Sequence, residues 1–231
     1  MITVETIRER HSVREYDGKP LDQAEFDALG VVVEECARES GLDIQLVGDN
    51  PEVFNVIARF GLIRGCRTHV TFVVDDAKAR GVAADEAIGY WGQKIVLAAQ
   101  DMGLNTCWCA LCSRKKSRAV VAPGKKIRLI IAVGHGKTQG FSRKTKGVEA
   151  LSSVECAKAP AWFAAAMEAA QLAPTAMNNQ NFKITLLSDG KTVRIDAPKS
   201  GLNVIDEGIV RCNFEIAANE AGADWRWERE M

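Results

Sequence analysis

The sequence predicts an α+β fold: a mixed or antiparallel sheet flanked by helices, internally duplicated, with the second copy truncated. Three observations predict it. Strand-length runs rich in β-branched residues alternate with helix-length stretches of 3.6-residue periodicity. Asp85 to Met102 is apolar nearly all the way round, through Ile88, Tyr90, Trp91, Ile95, Val96, Leu97 and Met102, and such a helix belongs at the centre of a core. Finally, DEAIGYWGQKIVLAAQDMGLNTCW (Asp85 to Trp108) and DEGIVRCNFEIAANEAGADWRW (Asp206 to Trp227) coincide in Asp-Glu, Ile, Ala-Ala, Gly and Trp once a two-residue gap is allowed. Residues 1–150 form the first half and 151–231 the shortened second half, fused into one globular unit.

The elements follow in order. Val4 to Arg10 reads as a short helix with Thr3 as its cap, and DGKP (Asp17 to Pro20) as a turn. Asp22 caps a helix to about Glu39, whose apolar side carries Phe26, Leu29, Val32 and Val33. IQLVGD (Ile44 to Asp49) and HVTFVVDD (His69 to Asp76) read as strands, and Pro51 to Phe60 as helical. Gly89 and Gly92, on the central helix, suggest close approach by another backbone. IRLIIAVGHG (Ile127 to Gly136) is a buried strand running into a glycine turn. In the second half, Ala161 to Leu172 is an alanine-rich helix, Phe182 to Gly190 a strand and turn, Thr192 to Ala197 a strand, and Asp206 to Glu220 a helix. IQLVGD and ITLLSDG each follow a helix, which again suggests duplication.

A hydrophobic content of 47% and a charged content of 26% describe an ordinary soluble globule, and thirty basic residues balance thirty acidic ones. Overall charge therefore argues for neither nucleic acid nor a membrane. The charged N-terminus lacks the apolar stretch of a signal peptide, and no apolar run approaches a membrane span. Seven scattered cysteines suit reduced thiols in a cytoplasmic protein. Cys107, Cys109 and Cys112 form CxCxxC, but no fourth ligand stands at a suitable spacing, so small buried thiols are expected rather than a metal. Neither His69 nor His135 sits in a nucleophile–base pattern, and no catalytic side chain is assigned.

Two segments stand out. RHSVR (Arg10 to Arg14) crowds two guanidiniums, an imidazole and a hydroxyl into five positions. It reads either as a solvated helix end or as a cradle for a phosphate dianion. Ser113 to Lys146 holds eleven Lys and Arg and no acid, which attracts an anion, although it has few aromatics to stack on bases. The loop LAPTAMNNQNF (Leu172 to Phe182) gathers neutral donors and acceptors, suited either to a turn or to a polar heterocycle.

Together these residues resemble the FMN-dependent nitroreductase family. ERHSVREY (9–16) resembles its N-terminal phosphate-binding signature, and APTAMNNQNF (173–182) its A-P-S-x-x-N-x-Q-P-W loop, with Pro174, Thr175, Asn178 and Gln180 in register. LAAQDMGLNTCW (97–108) resembles the exit of its central helix, and VGHGKTQGFSRKTK (133–146) its closing strand and basic tail. The order departs from the usual member, in which the Asn-Gln loop follows the first long helix and serves the partner subunit. Here EECARESGLD (Glu34 to Asp43) has lost that loop, which stands only in the second half. The likeness is thus closest to a subgroup in which one chain imitates the family's homodimer.

The resemblance implies a nitroreductase-like fold and one FMN site per chain, in a monomer or weak homodimer. It places Arg10, Ser12, Arg143 and Lys146 on the phosphate dianion, counts His11 among the cofactor-binding residues, and lets Arg14 reach the pyrimidine side of the flavin. Backbone groups of Ala110 and Leu111 face the N5 region, Pro174, Thr175 and Asn178 line the ring from the other half, and Gln180 is the further cofactor-binding residue of that loop. NADH or NADPH is the implied hydride donor and a small molecule, nitroaromatic or quinone, the acceptor. A non-catalytic flavin or ligand binder stays open, as does a phosphate-directed nucleic-acid module on residues 113–146.

Overall fold

In a computed structural model, residues 2–54, 63–75 and 82–228 are described. Helices α1 (Val4–Glu9), α2 (Gln23–Ser40), α3 (Val82–Asp101), α4 (Val148–Leu151), α5 (Ala161–Gln171) and α6 (Asn203–Glu220) accompany strands β1 (Asp43–Val47), β2 (Thr68–Asp75), β3 (Asn105–Cys109), β4 (Lys125–Gly134), β5 (Lys183–Leu186), β6 (Thr192–Asp196) and β7 (Arg226–Trp227). Compact units in space do not follow chain order. One comprises Glu9–Ala84 and Lys94–Ser142; the other comprises Ile2–Arg8, Asp85–Gln93 and Arg143–Met231.

The first unit is built on an antiparallel sheet in the order β1-β2-β4-β3. β2 is buried along its length up to Asp75, so both its faces are covered, which suits its alternation of Val and Phe with Thr and His. One face carries a cluster of Val13, Tyr16, Phe54, Cys66, Val73, Cys107, Ile130 and Ala132. Helix α2 packs against β1. Its start is the capping box expected at Asp22: the Asp22 carboxylate accepts the Glu25 N–H at 2.8 Å, and Glu25 accepts the Asp22 N–H at 3.0 Å. The helix expected over Pro51 to Phe60 is a 3₁₀ turn at Pro51–Phe54, and its remainder lies outside the described residues, as does Asp76.

β3 carries no strand signal of its own. Asn105–Cys109 is short, with one β-branched residue, and is held by pairing with β4 across the whole of its length. Its other edge takes the N-terminal segment: Ser12 bridges Thr106 in parallel, and the Val13 N–H donates to the Thr106 carbonyl at 3.0 Å. The edge is thereby covered rather than left to pair with another chain.

The second unit joins α5 and α6 to a small sheet in the order β5-β6-β7, antiparallel and then parallel. Trp162, Phe163, Phe214, Trp225 and Trp227 form one aromatic cluster with ring centroids 5.1 to 6.4 Å apart. The Asp85–Gln93 part of α3 crosses α6 at backbone contact distance. A Cβ on Gly89 would lie 2.0 Å from the Ile205 carbonyl oxygen, and one on Gly208 would lie 2.0 Å from that of Glu86. The close approach expected at Gly89 is therefore real. Beside the crossing, buried Gln93 donates to Asn213 at 3.0 Å, and Asn213 donates to the Ala169 carbonyl at 3.1 Å. Farther along α3, Ile95 to Leu97 and Ala99 are fully buried while Met102 is exposed. The buried run thus ends at Ala99 and the helix at Asp101, one residue short of Met102.

Candidate functional site

The N-terminal segment reaches its place through main-chain bonds. Tyr16 N–H donates to the Arg64 carbonyl and Arg64 N–H to that of Arg14, both at 2.8 Å. Asp17 N–H donates to His135 O, and Lys137 N–H to Glu15 O, both at 2.9 Å. RHSVR therefore lies between the β3 edge and the glycine turn after β4. Gly140 sits in the left-handed region at φ +77°, and a Cβ there would be 2.7 Å from Cβ of His11. Only glycine lets that turn press against the segment. His11 contacts the Glu9 carbonyl through Nδ1 at 2.8 Å and Ser142 Oγ through Nε2 at 3.0 Å.

Arg10 is the unusual member. It is 9% exposed, its Nε has no partner, and no ion pair or hydrogen bond reaches it among the described residues. Burial pulls its pKa down to about 10. A residue expected to lie off the core is buried, because the Ser12–Thr106 bridge seats its neighbour against the sheet. A buried guanidinium without an anion is costly, and that cost disappears only when an anion arrives. Arg14 is half-buried and makes no side-chain bond among the described residues, while Ser12 is half-buried beside it. This donor set fits a phosphate.

After β3 the chain turns at Ala110 and Leu111, both exposed. The Arg114 guanidinium donates to the Ala110 carbonyl at 3.0 Å. The acid-free stretch is not free of acids in space: Lys125 pairs with Asp43 at 3.3 Å and Arg118 with Glu52 at 3.8 Å. Sequence purity did not reveal this, since both acids come from elsewhere in the chain.

The remaining predicted residues lie in the second unit, where the Asn-rich loop and the basic tail are laced together. Gln180 is 1% exposed. Its Oε1 accepts the Lys146 N–H at 2.7 Å, and its Nε2 donates to the Gln171 carbonyl at 2.9 Å. Lys146 Nζ donates to the Gln180 carbonyl at 2.9 Å, and Asn178 Nδ2 to that of Lys144 at 2.8 Å. Gln180 N–H donates to Thr175 Oγ1 at 3.0 Å. The Gln180 amide thus makes one bond at each end inside the protein, and these position the loop. Asn178 Oδ1 and the Thr175 hydroxyl keep capacity for a ligand, Pro174 is half-buried next to them, and Arg143 is exposed. Met177, Asn178 and Gln180 adopt φ of 53°, 57° and 47°. Each left-handed non-glycine residue costs on the order of 1 kcal/mol, so the hydrogen bonds hold a strained loop in one shape.

Asp206, at the start of α6, is a clamp that its sequence position did not disclose. Both its oxygens accept the Ala176 N–H, at 2.9 and 3.0 Å. Burial raises its pKa to about 6 from an ordinary 3.8, against the smaller lowering effect of that bond. The folded protein therefore holds this proton more tightly than the unfolded chain, and stability contributed by the neutral acid is lost as pH rises from about 4 through 6. Asp206→Asn, which keeps an acceptor for Ala176, should remove that slope. Urea unfolding at pH 4.5 and pH 7 should show the variant gaining on the native protein by on the order of 2 kcal/mol at the higher pH.

Among the described residues no group of His, Cys, Asp and Glu could hold a metal ion, and no helix is long and apolar enough to cross a membrane.

The chain has relatives among known proteins. A family described as "Putative TM nitroreductase" matches residues 2–218. No curated protein matches the sequence. A "putative nitroreductase" from Thermotoga maritima has a TM-score of 0.64 at 20% identity, over 96% of this chain and 85% of that one. A "putative nitroreductase in complex with FMN" from Desulfovibrio desulfuricans has a TM-score of 0.52 at 18% identity, over 66% of this chain and 95% of that one. At these identities the likeness to solved structures is one of fold.

Proposed function

The chain belongs to the nitroreductase family, and from that premise we propose that it is an FMN-dependent oxidoreductase taking hydride from NADH or NADPH and passing it to a small acceptor. The supporting observation is Arg10, a buried guanidinium with no anion of its own. In this reading Arg10, His11 and Ser12 hold the phosphate, Arg143 and Lys146 add positive charge, and Arg14 serves the pyrimidine side. Backbone groups of Ala110 and Leu111 face the ring edge, while Pro174, Thr175 and Asn178 line the ring and Gln180 keeps their loop in shape. The crossing of α3 and α6 at Glu86 and Gly208, within the two stretches that match in sequence, supports an internally doubled chain. FMN supplies the hydride chemistry when bound, so the protein's task is binding and orientation.

The test is Arg10→Met, which keeps the apolar stem and removes the charge. Against the native protein it should bind FMN about 10- to 100-fold more weakly, the value of a charge-assisted pair of hydrogen bonds. Without FMN the same variant should be more stable, by on the order of 1 to 3 kcal/mol, because an unpaired buried charge is gone. A purely structural arginine would give the opposite stability change and unchanged FMN affinity, and the assignment would then fail. Anaerobic mixing of the FMN-loaded protein with NADH or NADPH should bleach the flavin band; no bleaching with either leaves a flavin binder without this activity.

A further inference from the structure

Between β3 and the 3₁₀ turn at Arg114–Lys116 the chain reads Cys109-Ala110-Leu111-Cys112, two thiols three positions apart. The turn folds the second back onto the first. Cys112 Sγ lies 3.6 Å from the Cys109 carbonyl oxygen, and Cys109 Sγ lies 3.5 Å from that of Leu111. Each thiol thus leans on a carbonyl of the same four-residue turn. Cys109 is buried and Cys112 only partly so, which makes Cys112 the sulfur that a dissolved reagent meets first. Arg114 folds back across the turn to the Ala110 carbonyl at 3.0 Å, two residues before Cys112, and its charge favours the Cys112 thiolate.

We propose that Cys109 and Cys112 are a reversible redox dithiol, oxidised by low-molecular-weight disulfides. The Cys112 thiolate attacks one sulfur of the small disulfide; that S–S bond breaks, one small thiolate leaves, and a mixed disulfide remains on Cys112. Cys109 gives its proton to water and attacks Cys112 Sγ, and the second small thiolate leaves. The protein thiols lose two electrons and two protons, and the small disulfide becomes two thiols once its thiolates are protonated. The surroundings assign the roles. The hydrogen bond from Cys109 and the Arg114 guanidinium hold Cys112 below the ordinary thiol range, whereas the bond to Cys112 and burial hold Cys109 above it. Two thiols that both fold over one four-residue turn, with Cys112 Sγ 3.6 Å from the Cys109 carbonyl oxygen, need little backbone movement to close. Nothing in this requires a bound cofactor, so it stands or falls separately from the FMN reading.

The experiment treats the full-length protein with oxidised glutathione, alkylates it under denaturing conditions, and maps the thiols by mass spectrometry. Cys109 and Cys112 should be protected as a pair, while Cys36, Cys66, Cys107, Cys156 and Cys212 are alkylated, and dithiothreitol should restore both. Cys109→Ser should trap glutathione on Cys112, and Arg114→Gln should slow that capture about tenfold. Cys112 reacting no faster than in the unfolded chain, or a bond that joins Cys107 instead, overturns the proposal. If Cys109→Ser does not fold, the native protein's thiol map decides alone.

Discussion

Gly208→Ala should abolish cooperative folding of the second unit. The added Cβ would fall 2.0 Å from the Glu86 carbonyl oxygen and 2.7 Å from the Tyr90 nitrogen. Both are helix backbone, so neither can swing aside as a side chain would. The helices must part, and parting them stretches the Gln93–Asn213 bond and the 2.7 Å bond from the Tyr90 hydroxyl to Glu215. Overpacking against movable side chains costs about 1 to 3 kcal/mol, and against two backbones the loss should exceed about 3 kcal/mol. That is a large share of a stability of about 5 to 15 kcal/mol. Gly89→Ala should behave alike, since its Cβ would lie 2.0 Å from Ile205 O. Gly30→Ala is the control: it lies inside α2 with nothing within 4 Å of its Cβ, and should stabilise by about 0.5 to 1 kcal/mol. Urea midpoints for the three variants are the measurement. Gly208→Ala unfolding within about 0.5 kcal/mol of the native protein would contradict the close crossing.

Glu207→Ala should cost about 3 to 5 kcal/mol. The Glu207 side chain is 0% exposed and lies between two cations. Lys199 Nζ donates to its oxygens at 2.9 and 2.8 Å, and the Arg211 NH2 nitrogen donates at 3.0 Å. Arg211, itself 13% exposed, also meets Glu86 at 2.9 Å and stacks its guanidinium 4.7 Å from the Trp227 ring. Removing Glu207 takes one of two carboxylates from the desolvated Arg211, whereas Lys199, 42% exposed, can turn to water. Replacing both partners by apolar groups, Glu207→Met with Arg211→Met, should cost less than the sum of the two single changes, because the contact between the two is lost once rather than counted twice. Denaturant unfolding of the four proteins completes the cycle; strict additivity would mean that the pair is not coupled.

What was legible in the sequence was whatever neighbouring residues decide between themselves. The capping box at Asp22 and Glu25 needs only a three-residue spacing. β2 follows from its own β-branched and aromatic residues, and the centrality of α3 from an apolar circumference. The left-handed, Asn-rich loop was likewise marked by its composition.

What only the tertiary structure decided was the partner of each polar group. Arg10 and Arg14 are the same residue type four positions apart, yet one is buried and the other half-exposed, because the sheet edge at Thr106 takes the segment between them. The Gln180 amide finds one partner at each end, Lys146 and Gln171, that its own neighbours along the chain do not supply. Asp206 looks like a helix-end carboxylate until Ala176 arrives thirty residues away in sequence to be clamped. β3 exists because β4 pairs with it, not because Asn-Thr-Cys-Trp-Cys favours a strand. Local propensity and capping act over three or four residues and can be read along the chain. Desolvation and hydrogen-bond saturation depend on which groups the fold brings within about 3 Å, and no spacing along the sequence encodes that distance.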